Sequence, residues 1–255
     1  MIRWLLLVLN LNSSDISTSD TKIHILVEKI ELQTMSQPGY TIAPVQKEDA
    51  DDIMDLLKRT FFIDEPLNQA IGLCENETCT ELEEYCSESM LKGLSFKAID
   101  ADGNIIGVMI SGVCPLKVED DNLLSQAERC QNPKFKRILY ILARREEGSK
   151  LHEQFPDDEH IVDVKVAATD PSWRRRGIMK ELVRVTEKAT KQRGIRLLRM
   201  DTSSAYSAMS AERLGFTCYY DALYKDITMD GRPIIVPEPP HVNDRVYIKT
   251  LFEKP

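Results

Sequence analysis

Metal-ligand patterning is scarce in this 255-residue chain. Its six cysteines (Cys74, Cys79, Cys86, Cys114, Cys130 and Cys218) form no C-x-x-C pair, and its four histidines stand apart from any cysteine cluster. Protein zinc sites draw on closely spaced Cys and His ligands, so no metal site is expected. A core of the size this length allows needs no disulfides, which leaves free thiols in a reducing compartment as the expectation. Positive charge is also in deficit, with 33 Lys and Arg against 41 Asp and Glu for a net charge of −8. That balance argues against a nucleic-acid surface and suits small cationic partners drawn in by long-range steering. No internal repeat is present. At the N-terminus, MIRWLLLVLNLN carries a short apolar run, too short to span a bilayer and close to the lower limit of a secretory core. No small-x-small cleavage site follows it. Residues 1–38 read as a poorly ordered extension, with a cleaved signal or an alternative start at Met35 as the other readings, and residues 39–255 read as one domain.

What is present is a globular composition, 42% hydrophobic and 29% charged, patterned as alternating helices and strands. Residues 40–44 read as a strand. Residues 47–60 carry Ile53, Leu56, Leu57 and Thr60 at helical spacing, with acids in the first turn where the helix dipole favours them. Residues 77–92 form a second helix whose face of Cys79, Leu82, Cys86 and Met90 makes those two thiols core residues. Residues 95–113 alternate and turn at Asp102–Gly103, a hairpin signal. Residues 119–122 read as an acidic solvated loop. A third helix spans 134–147, with Gly148 as its stop. The second half predicts a strand at 161–169, a helix at 178–193 closed by Gly194, and a strand at 195–200. A short helix at 206–214 closed by Gly215, a strand at 216–224, a rigid PEPPH linker and a last strand at 242–251 complete it. The pattern predicts a single α/β domain.

Two stretches carry chemistry. FFIDEPLN, residues 61–68, sets two rings before two carboxylates and a proline. One reading is a helix end stopped by Pro66. The other is a carboxylate beside an apolar pocket, with its proton affinity raised by desolvation. DPSWRRRGIM, residues 170–179, joins a strand to a long helix. The first N–H groups of a helix lack internal partners and sit at its positive dipole end, so they can bind an anion. Gly177 would let the backbone approach a phosphate, and Arg174, Arg175 and Arg176 could add charge-assisted bonds. An exposed basic turn is the plain alternative.

Arg174-x-x-Gly177-x-Met179 between strand and helix resembles the acyl-CoA pyrophosphate loop of the GCN5-related N-acetyltransferase superfamily, with Met179 where that loop has a small residue. AERLGF, residues 211–216, resembles the superfamily's helix-to-strand ending. FFIDEPLN, NPKFKRIL (132–139), SSAYSA (203–208) and PPHV (239–242) are similar to segments of the insect-type arylalkylamine N-acetyltransferases, and the likeness covers about residues 40–251.

The resemblance implies an α/β fold with a mixed, mostly antiparallel central sheet flanked by helices. It implies acetyl-CoA as acyl donor, no metal, and small amines of the dopamine, serotonin, octopamine and tryptamine type as acceptors. Glu65 would be the general base that deprotonates the ammonium, directly or through water. Ser203 and Ser207 would relay protons; their alternative is ending a strand and capping a helix. Ala211 stands where many members of the superfamily have a tyrosine acid. Phe61 and Phe62 would wall the amine pocket, with packing as the alternative. Asp64 reads as a turn cap beside that pocket, Tyr206 as lining, and His241 as shaping the site or simply structural. Val166, Ala167 and Ala168 would bind the pantetheine arm along a strand splayed from its neighbour, one of their amides stabilising the developing oxyanion. Arg174, Arg175, Arg176, Gly177, Ile178 and Met179 would hold the phosphates. A cytoplasmic monomer that binds neither nucleic acid nor membrane is expected. Polyamine or lysine/peptide acetylation with the same machinery, and a CoA-binding domain without catalysis, are the competing readings.

Overall fold

The computed structural model describes residues 35–37, 39–75, 78–117 and 123–253. Its sheet follows the order β1 (Met35–Gln37), β2 (Tyr40–Pro44), β3 (Phe96–Asp100), β4 (Ile105–Pro115), β5 (His160–Thr169), β6 (Leu197–Thr202), then β10 (Asn243–Thr250) and β7 (Thr217–Leu223). A separate ribbon pairs β8 (Thr228–Met229) with β9 (Arg232–Pro233). Within the large sheet only β5 and β6 run parallel, so the mixed, mostly antiparallel sheet expected from the sequence is what forms. Strand β4 shows why it is central: residues Ile105 to Gly112 are all buried, the pattern of a strand covered on both faces.

The helices supply that cover. On one face, α1 (Ala50–Lys58), α4 (Thr80–Met90) and α6 (Pro133–Ser149) bury Ile53, Leu57, Cys86 and Ile141 against Val108 and Ile110 of β4. On the other, α8 (Ile178–Gln192) buries Ile178, Leu182 and Val185 against Met109, Val162 and Leu198, and α9 (Ala205–Arg213) adds Ala208 and Ala211. Each such aliphatic side chain contributes about 1.5–3 kcal/mol. Short helices α2 (Phe61–Asp64), α3 (Pro66–Ala70), α5 (Leu123–Arg129) and α7 (Leu151–Gln154) fill the connections. Among the described residues no helix is long and apolar enough to cross a membrane.

Several expectations change. The sheet begins at Met35, within the stretch read as an extension, where Met35 faces Ile42; residues 1–34 and the acidic loop at 119–122 lie outside the described residues. Gly148 does not stop its helix. The helix runs through it to Ser149 and turns at Lys150, whose φ is 45°. Gly148 instead makes room for a ring: a Cβ there would stand 2.3 Å from Tyr220 Cε2. Helices α5 and α7 and the β8–β9 ribbon are too short for a periodic signal. Cys79 and Cys86 are core residues as read, 1% and 0% exposed, and burial pushes both thiols up to about 12.

Candidate active site

The FFIDEPLN segment resolves into two one-turn helices with Glu65 at their junction. Pro66 occupies the first position of α3, and the residue before a proline is driven to extended backbone, as the φ of −69° and ψ of 126° at Glu65 show. Glu65 thereby becomes the N-cap of α3, with Oε2 accepting the Asn68 amide at 2.7 Å. The helix-end reading holds, and the capping carboxylate also lines a cleft. Glu65 is half-buried, with protein packed around its carboxyl group. Desolvation raises its pKa above 4.5, opposed by a hydrogen bond with the Ser203 hydroxyl, by the Asn68 and Leu67 amides, and by the charge of Arg145.

That cleft is a cavity of about 790 Å³, walled near Glu65 by Phe61, Leu67, Leu82 and Phe135. Its floor is ionic. Strand alternation aims Asp163 and Lys165 of β5 and Arg199 and Asp201 of β6 into it, and Ser203, just past β6, joins them. Lys165 pairs with Asp163 at 2.9 Å, and Arg199 bonds Asp201 at 2.8 and 2.9 Å and Glu146 at 2.6 Å. Arg145, from α6, reaches Asp201 at 3.1 Å and grips Asp244 at 2.9 and 2.5 Å. Tyr85 joins the lining, its phenol pushed up to about 12 by burial.

Beside this floor the sheet opens. Pairing of β5 with β6 ends at Val164 and Met200, although β5 runs on to Thr169 and β6 to Thr202. The ladder between β4 and β5 steps there, Ile110 facing Val166 while Ser111 faces Val164, so Lys165 is bulged out. Among the described residues, no strand pairs with the backbone edge of Val166, Ala167 and Ala168 on the β6 side.

The edge leads to the basic loop. Gly177, at φ 82°, starts α8 in the left-handed region, and a Cβ there would meet no atom within 4 Å. Arg174 pairs with Asp64 at 2.5 Å, tying the loop to FFIDEPLN, and Arg59 pairs with Asp170, whose carboxyl is held at about 2, mainly by the Ser172 and Arg59 bonds. Arg176 lies over the Trp173 ring at 4.5 Å, and Arg175 adopts a φ of 65°. Ile178 is buried against the core, and Met179 packs partly against it.

Not every nominated residue converges. Phe61 faces the cavity, whereas Phe62 is 3% exposed within the core. Asp64 points outward to Arg174, away from the turn it was read as capping. Ser203 lines the cavity with Glu65, but Ser207 spends its hydroxyl on the Ser204 carbonyl at 2.9 Å, as a first-turn serine does. His241 accepts the Ala205 amide at Nδ1 (3.2 Å) and stacks edge-on with exposed Tyr206, so the two form a pair at the start of α9. Sequence reasoning missed Arg145, Asp244 and Tyr224. Two of them carried a signal: Arg145 continues the Ile138, Ile141, Leu142 stripe of α6, and Asp244 opens the inward row of Val246 and Ile248. Among the described residues no cluster of His, Cys, Asp and Glu suits a metal.

No protein-family model matches the chain. Among solved structures, arylalkylamine N-acetyltransferase 2 from Aedes aegypti superposes with a TM-score of 0.79 at 26% identity, covering 84% of this chain and 99% of its own. A polyamine N-acetyltransferase from Drosophila melanogaster that forms N-acetylagmatine gives 0.75 at 22%, covering 83% and 99%. A mosquito arylalkylamine N-acetyltransferase-like 5b gives 0.75 at 21%, again covering 83% and 99%. The fold is that of the GCN5-related N-acetyltransferases.

Proposed function

We propose that this protein is an acetyl-CoA-dependent N-acetyltransferase acting on small arylalkylamines by direct transfer. One observation carries the reading: a desolvated carboxylate, Glu65, lines a cavity that reaches β5 at Asp163, Val164 and Lys165, where pairing with β6 ends, and β5 then leads to the basic loop at the start of α8. The residues present suit the donor. The unpaired edge of Val166, Ala167 and Ala168 fits an extended amide-bearing arm, and the uncrowded left-handed Gly177 with the first amides of α8 fits a diphosphate. Bound there, acetyl-CoA supplies the thioester-activated acetyl group.

The chain's own residues do the rest. Phe61 and Leu82 exclude water from the acceptor, which enters as an ammonium because its pKa lies near that of lysine. Glu65 holds that cation, then removes its proton to free the nitrogen lone pair, and its raised pKa makes it a better base than an exposed glutamate. Ser203, bonded to the same carboxylate, keeps it oriented and offers a route for the proton onward. Arg174 is held beside Glu65's own turn by Asp64, so the donor loop and the base are set by one contact.

An aliphatic diamine acceptor is the second reading. It is favoured by the carboxylates of Asp163, Asp201 and Glu146 on the cavity wall, although each already has a cationic partner. A thiol-release screen of dopamine, serotonin, octopamine, tryptamine, agmatine, spermidine and a lysine peptide tests both. The expected result is highest kcat/KM among the arylalkylamines. Turnover confined to agmatine and spermidine would favour the second reading, and acetyl-CoA binding without thiol release on any amine would overturn both.

A further inference from the structure

Strand β6 stops pairing just short of the site. Its last partner is Arg245, opposite Thr202, and Ser203 lies between that pair and Ser204, the N-cap of α9. Ser203, which lines the same cavity as Glu65, is thus the first residue beyond the sheet, where the ladder no longer fixes the backbone. The Tyr224 hydroxyl donates to the Ser203 carbonyl at 3.1 Å and lies 3.4 Å from Asp244 Oδ1, its single hydrogen shared between them with the carbonyl nearer. Asp244 is fully buried and gripped by two nitrogens of Arg145, which lines the same cavity as Glu65.

We infer that Tyr224, anchored by Asp244 and Arg145, is a positioning residue that holds the Ser203 end of β6 against Glu65. Tyr224 is 1% exposed, and a phenylalanine would fill that space. A buried hydroxyl is costly unless it is bonded, so its presence is accounted for by the two oxygens it meets. The groups facing Glu65 come from separate elements: Ser203 after β6, Arg145 on α6, the Leu67 and Asn68 amides of α3, and Tyr224 after β7. Burial raises the Tyr224 phenol far out of the titrating range, so it stays a neutral donor throughout and acts through place, not charge.

Ser203 and Arg145 both hold the Glu65 carboxylate in its ionised form. Letting the Ser203 carbonyl go therefore weakens that support and moves the acid limb of kcat/KM to higher pH. The inference rests on the catalytic reading of Glu65. Its test is a double-mutant cycle of Tyr224→Phe and Ser203→Ala, with Glu65→Gln alongside, read by thiol release across the acid limb. Tyr224→Phe is expected to lower kcat about tenfold, shift the limb upward and leave KM for acetyl-CoA unchanged. Combined with Ser203→Ala it should add less than about twofold, since both act through one bond. A wild-type limb and rate, or fully multiplicative losses, would overturn the inference. Should Tyr224→Phe fail to fold, Asp244→Asn takes its place, with the same direction and the same non-additivity expected and wild-type kinetics counting against it. Full rates in Glu65→Gln and Ser203→Ala would instead overturn the reading of the site itself.

Discussion

Replacing Glu65 with Gln separates what the carboxylate does for catalysis from what it does to stability. Gln keeps an oxygen that can accept the Asn68 amide, so the cap of α3 survives, but it cannot take a proton. General-base assistance is worth about 10²–10⁴ in rate, roughly 3–5 kcal/mol of barrier, and that is the expected fall in kcat for thiol release at neutral pH. Stability should move the other way. The folded pKa of Glu65 lies above its ordinary 4.5 because desolvation outweighs Ser203, the two amides and Arg145. A carboxyl raised on folding favours the native state while it is protonated, and that contribution is lost as pH rises through the folded pKa. At neutral pH the wild type therefore carries an unfavourable buried charge, and the Gln variant should melt at the same temperature or higher, with the difference shrinking in acid. Activity needs the ionised form, so the acid limb should stand above the range of an exposed glutamate. Wild-type kcat/KM in the variant at neutral pH refutes the general base. A melting point several degrees below wild type refutes the claim that desolvation dominates.

Two further outcomes follow from the same geometry. Arg145→Met leaves Asp244 buried without its cation and should cost about 3–5 kcal/mol in urea unfolding. Replacing Asp244 with Leu in that background should recover much of the loss, and no recovery would show that packing, not charge, is at stake. Gly177→Ala puts a Cβ where nothing obstructs it but where φ is 82°, so a cost of about 1–2 kcal/mol is expected, with a raised KM for acetyl-CoA and little change in KM for the amine. An unchanged donor KM would remove Gly177 from the phosphate-binding loop.

Periodicity and punctuation were enough to place the long elements. The 3.6-residue stripes of α1, α6 and α8 and the Asp102–Gly103 turn between β3 and β4 are properties of adjacent residues, so they were legible without coordinates, whereas the alternation read over 95–113 gives way in β4 to burial on both faces. Pro66 likewise dictated the extended backbone at Glu65 that makes it a cap. Gly148 misled because a glycine inside a helix looks the same in sequence as one that ends it; what kept it small was Tyr220, from a strand more than seventy residues later.

Order along the chain thus settled which residues become helix and strand, that Pro66 holds the residue before it extended, and that Gly177 opens a helix behind three arginines. The fold alone decided which of them meet. Phe61 and Phe62 are equivalent in sequence, yet one faces the cavity and the other the core, since only packing sets which side of a one-turn helix is covered. Ser203 and Ser207 are equally plausible relays until strand and helix geometry turns one to Glu65 and the other to its own backbone. Arg145, Tyr224 and Asp244 come from a helix, a turn and a strand, and only the fold brings them together as a buried hydrogen-bonded cluster beside the cavity.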